Sequence, residues 1–161
     1  TIKRTYEAIV WGALKPSSGK INENISRSVK NRQLMAVIKD KSKGKSAVTN
    51  YKTLKTFKNS NLPKISFIEC KLETGRTHQI RVHMKYKGSS LLGDQQYGKK
   101  NIKFKKINGD FFRVLSALKG QALHAKSLEF IHPSKNKWVS FESKLPDDFM
   151  KLLHLLRKHS G

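Results

Sequence analysis

Cysteine is almost absent from the sequence, since Cys70 is the one example among 161 residues. A single thiol cannot form a disulfide within the chain, and it is too few for a thiolate-rich zinc site. The six histidines show no metal-ligand spacing, because His78 and His83 are five residues apart and would lie on different sides of a helix. We therefore predict no metal site and no cofactor, and we expect a reducing setting such as the cytoplasm.

Long apolar runs are also missing. No stretch approaches the roughly 18 apolar residues that a membrane-spanning helix requires. The chain starts Thr-Ile-Lys-Arg without an apolar segment behind it, which does not fit a signal peptide. With 37% hydrophobic and 28% charged residues, the composition is typical of one globular domain, so we predict a single unit over residues 1–161.

Acidic residues are scarce, with 11 against 34 lysines and arginines, and the net charge is +23. A surface this positive repels itself unless an anionic partner lies across it. Nucleic acid is the partner that such a charge favours. A membrane surface fits less well, because no basic amphipathic helix with an aromatic face is evident.

Alternating apolar and polar residues predict strands separated by short turns. The predicted strands cover residues 4–14, 33–38, 46–57, 64–73, 122–131 and 138–142. Residues 15–20 are predicted as a turn and 40–45 as a charged hairpin loop between two of the strands. Residues 95–110 are predicted as a basic loop. A helix beginning at Pro146 has an apolar stripe, with acids at its start and basic residues at its end. This pattern indicates one α+β unit with a mixed, largely antiparallel sheet.

One segment allows two structures by pattern alone. Ile80, Val82, Met84 and Tyr86 alternate as in a strand, whereas Thr77 as a cap and the Lys-Gly stop favour a helix over residues 77–87. Whichever forms, the strand before it stops at Thr-Gly and the next residues bring arginine, histidine and glutamine to one end of the sheet. Helix amides and guanidinium groups there would hold a carboxylate or a phosphate. The simpler alternative is a solvated basic helix start.

Four motifs resemble the RluA-type pseudouridine synthases. Residues 74–83 read Thr-Gly-Arg-Thr-His-Gln-Ile-Arg-Val-His, and residues 93–98 read Gly-Asp-Gln-Gln-Tyr-Gly. Upstream, residues 4–12 resemble the family's Lys-x-Tyr-x-Ala-x-Val-x-Gly strand. Downstream, Leu-His-Ala at 123–125, His-Pro at 132–133 and Leu-Pro at 145–146 resemble its closing elements. The resemblance spans nearly the whole chain, and it implies a curved sheet with peripheral helices and a helix at 77–87.

The resemblance also implies roles for individual residues. Tyr6 matches the tyrosine that lies against the target uracil and is a candidate for proton transfer. Arg81 matches the arginine that pairs with the catalytic aspartate and keeps it ionised and oriented. Ile80 is expected to form part of the apolar pocket wall. Three further residues are expected to bind substrate, although capping the turn is an alternative for each: Arg76, His78 and Gln79. Asp94 and Tyr97 are expected to brace the loop that follows.

The family's catalytic aspartate lies in a His-Arg-Leu-Asp segment before the tyrosine strand, where it acts as nucleophile or electrostatic partner. No such segment occurs in these 161 residues, whose aspartates are Asp40, Asp94, Asp110, Asp147 and Asp148. We therefore expect the chain to be the C-terminal portion of a catalytic domain and to give no turnover alone. We also expect uncovered apolar surface and self-association.

For the intact enzyme, the resemblance implies isomerisation of uridine to pseudouridine in structured RNA, without cofactor or metal. Ribosomal RNA is the expected substrate, and transfer RNA remains open. Basic stretches at residues 27–32, 39–45 and 99–106 are expected to contact phosphates, or else to form a solvated surface. The alternatives are a non-catalytic RNA-binding module and a partner-binding domain unrelated to RNA.

Overall fold

The computed structural model describes residues 2–60, 62–98 and 109–160. Within those ranges the chain forms eight strands and three helices. The strands are β1 (Ile2–Trp11), β2 (Ser18–Asn22), β3 (Asn24–Arg27), β4 (Met35–Ile38), β5 (Val48–Asn59), β6 (Leu62–Leu72), β7 (Leu123–Ile131) and β8 (Trp138–Glu142). The helices are α1 (Gln79–Tyr86), α2 (Gly109–Ser116) and α3 (Asp147–His159).

Six strands form one antiparallel sheet in the order β2-β5-β6-β1-β7-β8, and β3 pairs with β4 in a separate hairpin. β1 is central because it pairs with β6 on one side and β7 on the other. Its alternating apolar residues face both ways, as a strand buried on two sides requires. Ala8 and Val10 pack with α1, whereas Ile9 and Trp11 pack with α2 and α3. The sheet therefore separates two cores.

The predicted α+β class and the antiparallel sheet are confirmed, and so are the main strands, α1 and α3. The order β2-β5 and β3-β4 shows that residues 40–45 do not close a hairpin between the strands at 33–38 and 46–57. That prediction was wrong, because β4 returns to β3 while β5 joins the large sheet. β2 and β3 were missed, since polar residues dominate both and Ser18–Asn22 overlaps the predicted turn.

The predicted basic loop at 95–110 lies partly outside the described residues, as does the basic stretch at 99–106. At its end, Gly109 and Asp110 begin α2, which the sequence analysis did not predict. In the described part of the chain, no helix has the length and apolar character to cross a membrane. Nor do its His, Cys, Asp and Glu side chains gather in threes around a possible metal position.

Candidate active site

An open cleft of about 430 Å³ lies where β1 and β6 meet the N-terminal end of α1. Tyr6, Ile80 and Arg81 all line it, and we call it the Tyr6 cleft. The side chains at its rim include Arg4, Arg76, His78 and Gln121. No carboxylate of the described residues lines the cleft. It is therefore an apolar-walled, positively charged opening that suits an anionic ligand with a planar group.

Tyr6 enters the cleft from β1, opposite Cys70 of β6 in the strand register. Its side chain is half-buried, and its hydroxyl forms no hydrogen bond to a described residue. Ile80 of α1 is buried against Ala8 and Val10 of β1, so it supplies the apolar wall of the cleft. An aromatic ring beside an apolar wall is an arrangement that can hold a flipped base.

Arg81 is buried beneath the cleft, with 8% of its surface exposed, and it forms a two-pronged ion pair with Asp94. Its Nε donates to Oδ2 and its Nη2 to Oδ1, both at 2.8 Å, and Nη2 also donates to Oε1 of Gln96 at 2.9 Å. The two N–H groups of Nη1 form no hydrogen bond within the described residues. Arg81 can therefore bind a second carboxylate while it remains held by Asp94.

Asp94 is held ionised by the groups around it. Burial alone would raise the pKa of its carboxyl, but hydrogen bonds from Arg81 and from the amides of Tyr97 and Gln96 outweigh burial, so the pKa lies below its usual range. The hydrogen bond to Asp94 in turn raises the pKa of Arg81. Asp94 and Tyr97 thus brace the loop, in the role expected for them from sequence.

Tyr97 connects this pair to the β3–β4 hairpin. Its hydroxyl accepts a hydrogen bond from the amide of Met35 at 2.8 Å and lies 2.8 Å from Nδ1 of His78. The guanidinium carbon of Arg81 lies 4.8 Å from the centre of the Tyr97 ring, within cation–π distance. Burial, followed by the nearby charge of Arg81, lowers the pKa of His78. The basic hairpin is therefore anchored directly beside the cleft.

Gln79 begins α1 and uses its whole amide within the protein. Its Oε1 accepts from the hydroxyl of Thr74 and the amide of Arg76, at 2.7 and 3.0 Å. Its Nε2 donates to the carbonyl of Val48 and to the hydroxyl of Thr49, at 3.0 and 2.9 Å. All four hydrogen bonds of a primary amide are made. The geometry thus supports the capping alternative for this residue, because Gln79 ties the turn to β5.

The chain of hydrogen bonds continues from Thr49 to His83, which is fully buried. His83 Nε2 lies 2.9 Å from the carbonyl oxygen of Glu23, and because a carbonyl only accepts, this nitrogen carries the proton. Neutral Nδ1 then accepts from Thr49 Oγ1 at 2.8 Å. Burial lowers the pKa of His83, which keeps this neutral form. The chain holds α1 in register with β5.

We expect the stability of the protein to fall when His83 is forced to take up a proton. Its folded pKa lies below the unfolded value of about 6.5, so the stabilisation is complete above that pH and is lost as the pH falls towards the folded pKa. Urea unfolding at pH 7.5 and at pH 5.5 measures this loss as a difference in the free energy of unfolding, and His83→Gln should make the difference smaller. Exposed His154→Gln is the control and should keep it. Equal pH dependence in His83→Gln and the unsubstituted protein would contradict the assignment.

The structure brings all six predicted site residues to this one cleft. Arg76 also donates from Nε to the carbonyl of Ser46 at 2.7 Å, which leaves its two terminal nitrogens for a ligand. Two features were not predicted from the sequence: Arg4 lines the cleft, and Asp94 is the partner of Arg81. Arg4 could have been found from the two-residue period of β1, which places it on the same face as Tyr6.

Comparison with known proteins now identifies the family. The family model for RNA pseudouridylate synthase matches residues 1–86, which is more than half of the chain. The chain belongs to the RNA pseudouridylate synthase family. The resemblance to the RluA type, inferred from the four motifs, is confirmed.

Relatives within the family match across nearly the whole chain. It is 44% identical over 160 residues to the uncharacterised RNA pseudouridine synthase YlyB of Bacillus subtilis, and 45% identical over 157 residues to ribosomal large subunit pseudouridine synthase D of Zymomonas mobilis. These matches cover 99% and 97% of this chain but 46% and 45% of the relatives. The chain therefore spans less than half the length of these curated relatives.

Solved structures show the same fold. Human RNA pseudouridylate synthase domain containing 4 superposes with a TM-score of 0.69 over 97% of this chain and 62% of that chain, at 23% identity. Human RNA pseudouridylate synthase domain containing 1 gives a TM-score of 0.70 over 97% of this chain and 66% of that chain, at 22% identity.

Proposed function

We propose that the protein containing this chain isomerises uridine to pseudouridine in RNA, with large-subunit ribosomal RNA as its substrate and the cytoplasm as its location. The observation that carries the proposal is the joint presence of Tyr6, Ile80 and Arg81 on one cleft whose described lining holds arginines and no carboxylate. The naming of relatives after the ribosomal large subunit supports the choice of RNA.

In this proposal each side chain has one task. The uracil leaves its stack and lies between the Tyr6 ring and Ile80. The free N–H groups of Arg81 orient an aspartate carboxylate, which these 161 residues do not supply. That aspartate acts as nucleophile or electrostatic partner while the glycosidic bond breaks and C5 joins the sugar. Tyr6 transfers a proton as the ring regains its aromaticity. No step requires a cofactor or a metal.

RNA binding is supported by charge around the cleft. Arg76 and His78 lie at its rim, and we propose that both contact the RNA backbone. The β3–β4 hairpin, anchored beside the cleft through Tyr97, adds the basic stretch at 27–32, and the basic stretch at 39–45 follows β4 directly. The surface is therefore arranged to hold a folded RNA around one extruded base.

The proposal is tested with a protein that joins this chain to the family's aspartate-bearing segment. Unmodified large-subunit ribosomal RNA carrying tritium at uridine C5 should lose tritium to water, because C5 exchanges its hydrogen for the sugar bond. Tyr6→Phe keeps the ring but should lower the rate about 100-fold or more, as expected for a proton-transfer group, with RNA affinity unchanged. RNA binding without tritium release from any RNA, transfer RNA included, would favour a non-catalytic RNA-binding module instead.

We also propose that the chain alone self-associates through an apolar face on β1, β7 and β8. Phe141 and Leu128 are paired in register and are 57% and 39% exposed, and Ile2 nearby is 51% exposed. The rings of Phe130 and Phe141 stack at 6.0 Å. β8 is also the last strand of the sheet, so one of its backbone edges has no strand beside it in the described residues. Such an edge favours pairing with another chain.

Phe141→Lys should therefore weaken self-association at least about tenfold, because it places a charge in the apolar face. Sedimentation velocity over a concentration series measures the effect. Met150→Lys on α3 is the matched control, since Met150 is also exposed but lies across the sheet, and it should leave association unchanged. A chain that stays monomeric at every concentration would contradict the proposal.

A further inference from the structure

Arg4 is a charged residue of the Tyr6 cleft to which neither the sequence motifs nor the proposed mechanism gives a role. It stands two residues before Tyr6 on β1 and lies opposite Leu72 of β6 and Leu128 of β7. Strand alternation puts Arg4 and Tyr6 on the same face of the sheet, about 6.6 Å apart along the strand. Arg4 therefore stands at the cleft's outer end.

The Arg4 side chain is half-buried and unpaired. Within the described residues it makes no hydrogen bond and no salt bridge, and this includes Glu142 of the adjoining groove. By contrast, the charge of Arg81 is balanced by Asp94. A partly desolvated guanidinium group with no partner is unfavourable unless an anion reaches it. The uncompensated charge of the cleft is thus concentrated at its rim.

Gly75 provides the room that this arginine occupies. A Cβ atom at position 75 would lie 2.6 Å from Nη1 of Arg4 and 3.2 Å from its Cζ. The backbone of Gly75 does not have a positive φ, so the need for glycine here is one of space. Any side chain at position 75 would push the guanidinium group away from the cleft mouth.

Arg4 also lies where two openings meet. It lines the Tyr6 cleft and a second groove of about 320 Å³ that runs along β7 to Phe141. A ligand that spans both openings is extended, as an RNA strand is. The geometry points to Arg4 as a binding site for a backbone phosphate next to the uridine in the cleft. The room left by Gly75 allows the guanidinium group to lie at that position. This inference rests on the proposed RNA function and adds a specific phosphate contact to it.

The test measures RNA affinity of the 161-residue chain by fluorescence anisotropy, at protein concentrations below those at which it self-associates, with a uridine-containing hairpin as the probe. Arg4→Gln should weaken binding about tenfold at low salt, since a charge-assisted hydrogen bond is lost. The slope of log affinity against log salt should become shallower by about 0.7–0.9, the value for one phosphate contact. Lys151→Gln removes a charge across the sheet on α3 and should change affinity less than twofold.

Two further arms make the assignment specific. Gly75→Ala should weaken binding in the same direction, but it should add nothing in an Arg4→Gln background, because both changes remove the same contact. A second hairpin carries uncharged methylphosphonate linkages on both sides of the uridine. On that RNA, Arg4→Gln should have no effect. Thermal unfolding of the Arg4→Gln chain at a temperature equal to or above that of the unsubstituted chain confirms that the fold is retained.

The outcomes separate the two hypotheses. If the unsubstituted chain binds RNA but Arg4→Gln binds equally well, the phosphate site is overturned while the proposed function stands. An equal loss of affinity on the charged and uncharged hairpins also overturns the phosphate site. So would an Arg4→Gln variant of the aspartate-containing protein that loses turnover but keeps its RNA affinity, because that result would assign Arg4 to a carboxylate. No RNA binding by the unsubstituted chain counts against the RNA function itself.

Discussion

Arg81→Ala is expected to abolish pseudouridine formation in a protein that joins this chain to the family's aspartate-bearing segment. The substitution removes the free N–H groups of Nη1 that we propose to orient the aspartate. A misplaced reacting group costs about 100-fold or more in rate. Tritium release under single-turnover conditions with saturating RNA measures the chemical step apart from binding. We expect no release above background.

Arg81→Lys is the informative comparison, because lysine keeps the charge but not the planar fork that grips two carboxylates at once. It should also lose most of the activity. Methylguanidinium added to Arg81→Ala should restore part of the rate. Arg113→Ala, on the exposed part of α2, should leave turnover unchanged. Turnover of Arg81→Ala within tenfold of the unsubstituted protein would contradict the role.

Asp94→Ala should lower the free energy of unfolding by about 3–5 kcal/mol, because it leaves the guanidinium group of Arg81 buried without a partner. The amides of Gln96 and Tyr97 lose their acceptor as well. Urea unfolding of the chain, analysed by linear extrapolation, measures the change. A loss of less than about 1 kcal/mol would show that the pair does not hold the loop.

A double variant separates the cost of one orphaned charge from the contribution of the pair. Arg81→Met with Asp94→Leu fills the same space with apolar groups and should recover most of the stability lost in Asp94→Ala.

The pH dependence of unfolding gives a second check on the Asp94 pair. Because the folded pKa of Asp94 lies below its unfolded value of about 3.9, its stabilisation is present above that pH and is lost as the pH falls through the folded pKa. Asp94→Ala should lack this acid loss.

The sheet could be predicted where the chain is apolar and alternating. β1, β5 and β6 each bury one or both faces, so their period is visible in the sequence. β2 and β3 are short and polar, and their pairing depends on distant partners rather than on their own composition. α2 was hidden because its apolar residues Phe111 and Val114 follow directly on a basic stretch that dominates the local pattern.

The helix at α1 shows where pattern alone was not enough. Its alternation of apolar residues fits a strand, yet it forms a helix because the polar residues between them are buried as well: Gln79, Arg81 and His83. Each of these has a hydrogen-bonding partner supplied by another element. These partners lie on β5, in the loop at Asp94, and at the carbonyl of Glu23. They cannot be inferred from the local sequence of the helix. The family motif predicted this helix where periodicity could not.

The candidate site was predicted mainly through its motifs. The motifs alone predicted that Tyr6 and Arg81 share one site. The pairing of Arg81 with Asp94 could not be predicted in this way, because it depends on a loop 13 residues further along the chain. The position of Arg4 in the cleft was missed but could have been found from strand geometry, whereas its lack of a partner could not. An unpaired charge is a property of the assembled surface, since it depends on every group that could have reached it.

The central position of β1 has a consequence for synthesis. β1 is synthesised before the two strands that complete its edges, β6 on one side and β7 on the other, and Phe130 of β7 pairs with Ile2. The nascent chain must therefore keep an apolar strand with an open edge until residue 131 has been made and released. Such long-range pairing slows folding and exposes the chain to aggregation. A chaperone that shields β1 on the ribosome should increase the yield of folded protein.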